Sequence, residues 1–161
     1  MRFLNSKLKI ENTILQNIAK KYGTPAYCYS YKQLKENIND FKKNFKSISP
    51  LICFAIKSNT NLNLIKEIKK FGLGADVVSM GELMLALKAG ISPKKIVFSG
   101  VGKTSKEINF AIDKNILLIN SESKSEIIEI DKIAKIKKKQ VNIGIRSVSY
   151  THLTLPTNTP V

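Results

Sequence analysis

The sequence predicts an α/β protein, a (β/α)8 barrel present to about its fifth strand, and three observations carry that reading. Five apolar runs of strand length alternate with amphipathic helical stretches across residues 51–145, the pattern of parallel βαβ units with right-handed crossovers. The runs lack strict apolar/polar alternation, as strands do when both faces of their sheet are covered. The first run ends in Ile56-Lys57-Ser58-Asn59, where a dinucleotide-binding sheet would open a glycine-rich turn. That favours the barrel over an open doubly wound sheet. A whole barrel takes about 250 residues, and the 161 here reach about the fifth strand.

The elements follow in order. Residues 11–22 read as a helix, with Ile14, Leu15, Ile18 and Ala19 on one face, stopped by Gly23 with Pro25 beyond it. Residues 26–31 read as a short aromatic strand, and 31–45 as a helix with Leu34, Ile38, Phe41 and Phe45 at helical spacing. After a loop at 47–50 the repeat begins. Strands are predicted at 51–56, 73–79, 95–99, 116–120 and 141–145. Helices are predicted between them at 62–71, 81–89, 105–115 and 124–138.

Composition narrows the function. The hydrophobic fraction of 43% supplies a core and argues against disorder. A formal net charge of +15 suggests nucleic acid, but the lysines are spread along the chain and the only arginines are Arg2 and Arg146. The basic run at 135–139 suits a solvated helix end. Neither nucleic acid nor membrane is therefore expected as a partner: no stretch approaches the ~18 apolar residues of a span, and the first residues lack a signal-peptide core. A cytoplasmic protein is expected. Cys28 and Cys53 sit in apolar runs and read as buried free thiols, so no metal site is expected.

From Val148 onward lysine vanishes and threonine crowds in. Residues 148–158 resemble a translation of sequencing-adapter DNA, so a non-native tail is expected over 148–161; a Thr/Pro-rich loop is the alternative. His152, the only histidine, lies in this tail and is given no role.

Chemistry concentrates at the predicted strand ends. Lys57 follows an apolar strand, where partial desolvation makes an amine nucleophilic, as a Schiff base with an aldehyde cofactor requires. A lysine snorkelling from a strand end fits the same position. Asp76 lies inside the second strand, where an acid needs a partner. Ser79 and Glu82 suit either the barrel mouth or the cap of the next helix. Ser99 ends the third strand. Gly102-Lys103-Thr104 resembles a Walker A loop, but Val97 stands where its first glycine belongs, so nucleotide binding is excluded. Asn120, Ser121 and Glu122 end the fourth strand and Arg146 the fifth, where an arginine serves an oxyanion or a surface ion pair.

As a series these segments resemble the diaminopimelate decarboxylase family. Tyr22-Gly23-Thr24-Pro25-Ala26-Tyr27 is similar to its N-terminal motif, and Phe54-Ala55-Ile56-Lys57-Ser58-Asn59 to its pyridoxal-lysine motif. The stretches 74–83, 86–90, 96–104 and 119–123 resemble the blocks that follow; Phe98-Ser99-Gly100-Val101-Gly102-Lys103-Thr104 discriminates best from ornithine and arginine decarboxylases. The resemblance implies a pyridoxal-binding barrel of the alanine racemase-like type with a second, β-rich domain. Residues 1–30 would pack with that domain and 31–147 would form the first part of the barrel. It implies pyridoxal 5'-phosphate on Lys57 as an internal aldimine, with Asp76, Glu82, Ser99 and Arg146 around the cofactor. It also implies an amino-acid substrate, meso-2,6-diaminopimelate converted to L-lysine, and a homodimer. Ser147-Val148 replaces the family's Asn-Pro after the arginine. The ring-stacking histidine, the phosphate cup and the pyridine-nitrogen glutamate of the family fall later, so this stretch alone is expected to be inactive. The alternatives are a related carboxynorspermidine, ornithine or arginine decarboxylase, an alanine racemase, or a non-catalytic pyridoxal-binding protein.

Overall fold

A computed structural model of the protein describes residues 2–4 and 7–147. The expected tail from Val148, with His152, lies outside the described residues. The chain divides into two compact units at the boundary between Pro50 and Leu51.

In the first unit, β1 (Arg2–Leu4), β2 (Lys7–Ile10) and β3 (Thr13–Ile14) form an antiparallel sheet in that order. Helix α1 covers Leu15–Tyr22 and α2 Tyr31–Asn44. The helix predicted at 11–22 therefore begins only at Leu15. Ile10, Thr13 and Ile14 are β-branched and suit a strand. Glu11 turns the chain with a φ of 53°, which sets Ile10 opposite Thr13. The Glu11 carboxylate accepts from the Ser30 hydroxyl at 2.7 Å and the Lys32 N–H at 2.8 Å, at the first turn of α2. Ser30 itself caps α2 by accepting from the Gln33 N–H. The strand predicted at 26–31 is also corrected: the backbone from 26 to 30 is irregular and Tyr31 opens α2. Aromatic strand propensity reflects packing against a neighbouring strand; Tyr27 is instead 91% exposed.

In the second unit, β4 (Cys53–Ala55), β5 (Gly74–Val77), β6 (Ile96–Phe98), β7 (Leu118–Ser121) and β8 (Ile143–Ile145) pair in parallel, in sequence order, in one sheet. Helices α3 (Leu62–Lys70), α4 (Met80–Lys88), α5 (Ser105–Asp113) and α6 (Lys124–Lys137) connect them. The βα repeat read from the sequence is borne out, with no boundary shifted by more than two residues.

The core lies on one face of this sheet. Ile56, Ala75, Val77, Ile96, Phe98 and Ile119 from the strand segments pack with Ile65, Leu83, Ile108, Ile112, Ile130 and Ile133 from all four helices. A doubly wound sheet carries helices on both faces, whereas a barrel wall carries them outside only. The alternate strand positions, Cys53, Ala55, Asp76, Val97, Leu118 and Asn120, face the other way. Truncating the fully buried Phe98 would cost about 3–5 kcal/mol.

Three successive helices start with the same four-residue device. Ser79, Thr104 and Ser123 are N-caps whose hydroxyls accept from the N–H of Glu82, Glu107 and Glu126. Each glutamate reaches back to a backbone N–H: Val78 for Glu82, Thr104 for Glu107, Glu122 for Glu126. This satisfies helix-end donors and places a negative charge at the positive end of the dipole. Glu107 also accepts from the Met80 N–H at 3.1 Å, tying α5 to the first residue of α4.

These bonds, chiefly that from the Thr104 N–H, hold the Glu107 carboxyl below its ordinary value of 4.5. A carboxyl lowered in the folded state adds stability above its unfolded pKa and loses it as pH falls through the folded one. Urea unfolding of the wild type and of Glu107→Gln, followed with pH, should show the glutamate protein ahead at neutral pH. The gap should close as pH falls below the ordinary glutamate range; a gap that widens in acid would contradict the capping role.

Candidate active site

A parallel sheet in sequence order puts the carboxyl ends of all its strands on one edge. Lys57 sits there, in a 3-10 turn over Ile56–Ser58 that follows β4 directly. Ile56 is fully buried and anchors the turn. The Ser58 hydroxyl donates to the Ala55 carbonyl at 2.7 Å, and the Asn59 N–H to the Ile56 carbonyl at 2.9 Å. Lys57 is exposed, and among the described residues its ammonium makes no hydrogen bond or ion pair.

Asp76 lies opposite Ala55 on the neighbouring strand. Its carboxylate accepts from the Ser99 hydroxyl at 2.6 Å, and Ser99 accepts from the Asn120 carboxamide at 3.0 Å. The partner that an acid inside a strand requires is therefore Ser99. Asp76 and Ser99 were both singled out in the sequence as candidates; Asn120 was visible only as a strand end. Its signal is its register, since Val97 pairs with Leu118 and so sets Ser99 level with Asn120. Cys53, half-buried rather than buried, lies on the same face lower down. Burial, and then the Asp76 charge, push its thiol above its ordinary pKa; it stays protonated and is a poor nucleophile.

Glu82 and Arg146 stand differently. One oxygen of Glu82 is committed to the Val78 N–H at 2.9 Å, just past β5, which is the capping geometry. Arg146 follows β8 and its N–H extends the sheet to the Ser121 carbonyl at 3.0 Å. Its guanidinium pairs with Glu122 at 3.3 Å, with the arginine side chain 60% exposed. Such a pair contributes about 0–1 kcal/mol and leaves donors over.

Lys103, dismissed as a nucleotide ligand, is the best-held lysine of the edge. Its side chain is 1% exposed. The ammonium donates to the Gly100 carbonyl at 2.7 Å, the Asn120 carbonyl at 2.5 Å and Glu126 at 3.1 Å. Three donors meet three acceptors, and the charge lies 5.7 Å from the centre of the Phe98 ring. The end of β6, the end of β7 and the start of α6 are thereby joined through one atom. Gly100 carries a φ of 95°, and a side chain there would meet the Val78 Cβ at 3.2 Å; the turn after Ser99 needs glycine.

Removing one member of a buried ion pair strands the other. Lys103→Met should lower unfolding free energy in urea by about 3–5 kcal/mol. Adding Glu126→Gln should recover part of the loss. A single variant within 1 kcal/mol of wild type would show that the clip bears no weight.

Comparison with known proteins places this geometry. The family model described as "pyridoxal-dependent decarboxylase, pyridoxal binding domain" matches residues 31–157. The diaminopimelate decarboxylase of Aquifex aeolicus is 43% identical over 146 residues, 91% of this chain and 34% of that protein. The Helicobacter pylori diaminopimelate decarboxylase structure, complexed with L-lysine, superposes with a TM-score of 0.79 at 41% identity, covering 82% of this chain and 34% of that one. The enzyme of M. jannaschii, also with L-lysine, gives 0.85 at 36% identity, covering 88% and 34%. The chain spans about a third of the length of the curated relatives it matches. An edge lysine after the first parallel strand, helices on one face only and a family match over most of the chain agree: the protein belongs to the pyridoxal-dependent decarboxylase family, through its pyridoxal-binding domain.

Proposed function

We propose that the chain forms part of the pyridoxal 5'-phosphate-binding barrel of an enzyme that decarboxylates meso-2,6-diaminopimelate to L-lysine, with Lys57 as the residue that carries the cofactor. The observation that carries the reading is Lys57 itself. It is a primary amine with no partner among the described residues, on the sheet edge beside a hydrogen-bonded acid. Support for the substrate comes from relatives near 40% identity named diaminopimelate decarboxylase, and from two solved relatives complexed with L-lysine, which is diaminopimelate less one carboxyl group.

The residues present fit the cofactor. Lys57 offers the amine that an aldehyde needs, and the neighbouring strand ends offer Asp76 and Ser99. When bound, pyridoxal phosphate supplies an electron sink for the carbanion left by loss of CO2. The chain's own residues bind and orient it. Lys57 Nζ holds it and moves a proton, accepting one as the neutral amine and donating one as the ammonium. Asp76 adds a carboxylate to that edge, held in place by the Ser99 hydroxyl. Glu82 holds the backbone at Val78 in place, and Arg146 brings a cation to the end of β8 for an oxyanion. In this reading residues 1–30 pack with a β-rich domain, residues 31–147 build the first part of the barrel, and 148–161 are not native. The working enzyme is a cytoplasmic homodimer. Among the described residues no helix is long and apolar enough to cross a membrane.

In the full-length enzyme, added pyridoxal phosphate should give an absorption band that borohydride fixes permanently, and peptide mapping should find the label on Lys57. Lys57→Ala should lose the fixed label. Label on another lysine, or an unchanged band in Lys57→Ala, would sink the reading. Turnover of diaminopimelate against ornithine and arginine, assayed on the same preparation, decides the substrate.

A further inference from the structure

We propose that Asn120 is a positioning residue: it holds the Ser99 hydroxyl on Asp76, and Gly144 is the strand position that leaves room for it to do so. The proposal rests on the reading of this edge as the cofactor site and names what fixes its carboxylate.

A serine hydroxyl has one proton and a free rotor. Left alone on a strand end, Ser99 has its own turn, solvent and Asp76 to choose among. The Asn120 carboxamide settles the choice. Its N–H donates to Ser99 Oγ at 3.0 Å, occupying an acceptor site of that oxygen and leaving the proton for Asp76 Oδ1 at 2.6 Å. The bonds run one way, from amide to hydroxyl to carboxylate, and end on the group that bears charge. Hydrogen bonds to an ionised acceptor are the stronger kind, and a chain of this polarity strengthens its members.

Two features fix Asn120 itself. Its backbone carbonyl accepts from Lys103 Nζ at 2.5 Å, and the same ammonium holds the Gly100 carbonyl at 2.7 Å, one residue past Ser99. The ends of β6 and β7 are thus pinned beside the two side chains that must meet. On the other side, Asn120 pairs with Gly144 across the β7–β8 ladder. A Cβ at Gly144 would collide with Asn120 Oδ1, with Asn120 Cγ and Leu118 Cδ2 next at 3.5 Å. The carboxamide therefore lies against bare backbone. Any larger residue at 144 must rotate it, because the end of an asparagine side chain moves more cheaply than a paired strand.

The test uses the full-length enzyme with three changes: Asn120→Leu, which keeps the bulk and removes the donor; Ser99→Ala; and Gly144→Ala, which removes no polar group. Crystal structures of the cofactor-free proteins decide the positioning. In Asn120→Leu and in Gly144→Ala, Ser99 Oγ should leave Asp76. A Ser99–Asp76 hydrogen bond retained in both overturns the proposal, whatever the cofactor does. The dissociation constant of pyridoxal phosphate decides whether the site uses it. Asn120→Leu and Ser99→Ala should each weaken binding about fivefold, the scale of one hydrogen bond. The double variant should be no weaker than Ser99→Ala alone, since Asn120 acts through Ser99. Losses that multiply in the double variant overturn it as well. If wild-type enzyme takes up no cofactor on Lys57, the functional reading falls, and the crystal structures still decide the positioning.

Discussion

Sequential parallel pairing is the constraint on which the site depends. Each crossover from β4 to β8 brings the chain back to start the next strand at the same end, so every carboxyl terminus meets on one edge. Residues as far apart in sequence as Lys57 and Asn120 become neighbours of that edge without any long-range motif. The helices enforce this by covering one face only. The apolar positions that satisfy them, Ala75, Val77, Ile96, Phe98 and Ile119, turn Asp76 and Asn120 to the opposite face by strand alternation. One residue of slip would bury Asp76 among isoleucines. The core thus sets the orientation of the polar row.

The loops that follow the strand ends still have to be held. Two devices do this. Ser79–Glu82, Thr104–Glu107 and Ser123–Glu126 close the three helix starts that face the edge. Lys103 then ties β6, β7 and α6 at one point. A buried ion pair is a weak contributor to stability by itself, since desolvation opposes the attraction. Here its two carbonyl bonds fix where Ser99 and Asn120 begin. Its value lies in placement rather than in net energy.

Much of this was legible in the sequence. Apolar runs at strand length and the absence of a glycine-rich first turn predicted the parallel barrel wall. The strand-end reading of Lys57, Asp76 and Ser99 put all three on the edge where they stand. The failures have physical causes. The start of the helix predicted over 11–22 and the strand over 26–31 rested on local spacing and propensity. A turn at Glu11 overrode the first, and the lack of a paired neighbour the second. Lys103 was read through a motif it does not satisfy; its three acceptors come from Gly100, Asn120 and Glu126, which only the fold assembles. Asn120 was legible only as a strand end for the same reason, since its partner lies 21 residues away. Glu82 and Arg146 were each read two ways, and the capping bond and the Glu122 pair now account for part of what they do.

The account turns on one edge holding both the amine proposed to carry the cofactor and the ordered acid. The most direct measurement is a crystal structure of the full-length enzyme with pyridoxal phosphate bound. The expected result is density continuous from the cofactor to Lys57 Nζ, with Asp76 beside it and the Asn120–Ser99–Asp76 hydrogen bonds in place. Cofactor bound away from the carboxyl ends of β4 to β6, with Lys57 left in solvent, would contradict it.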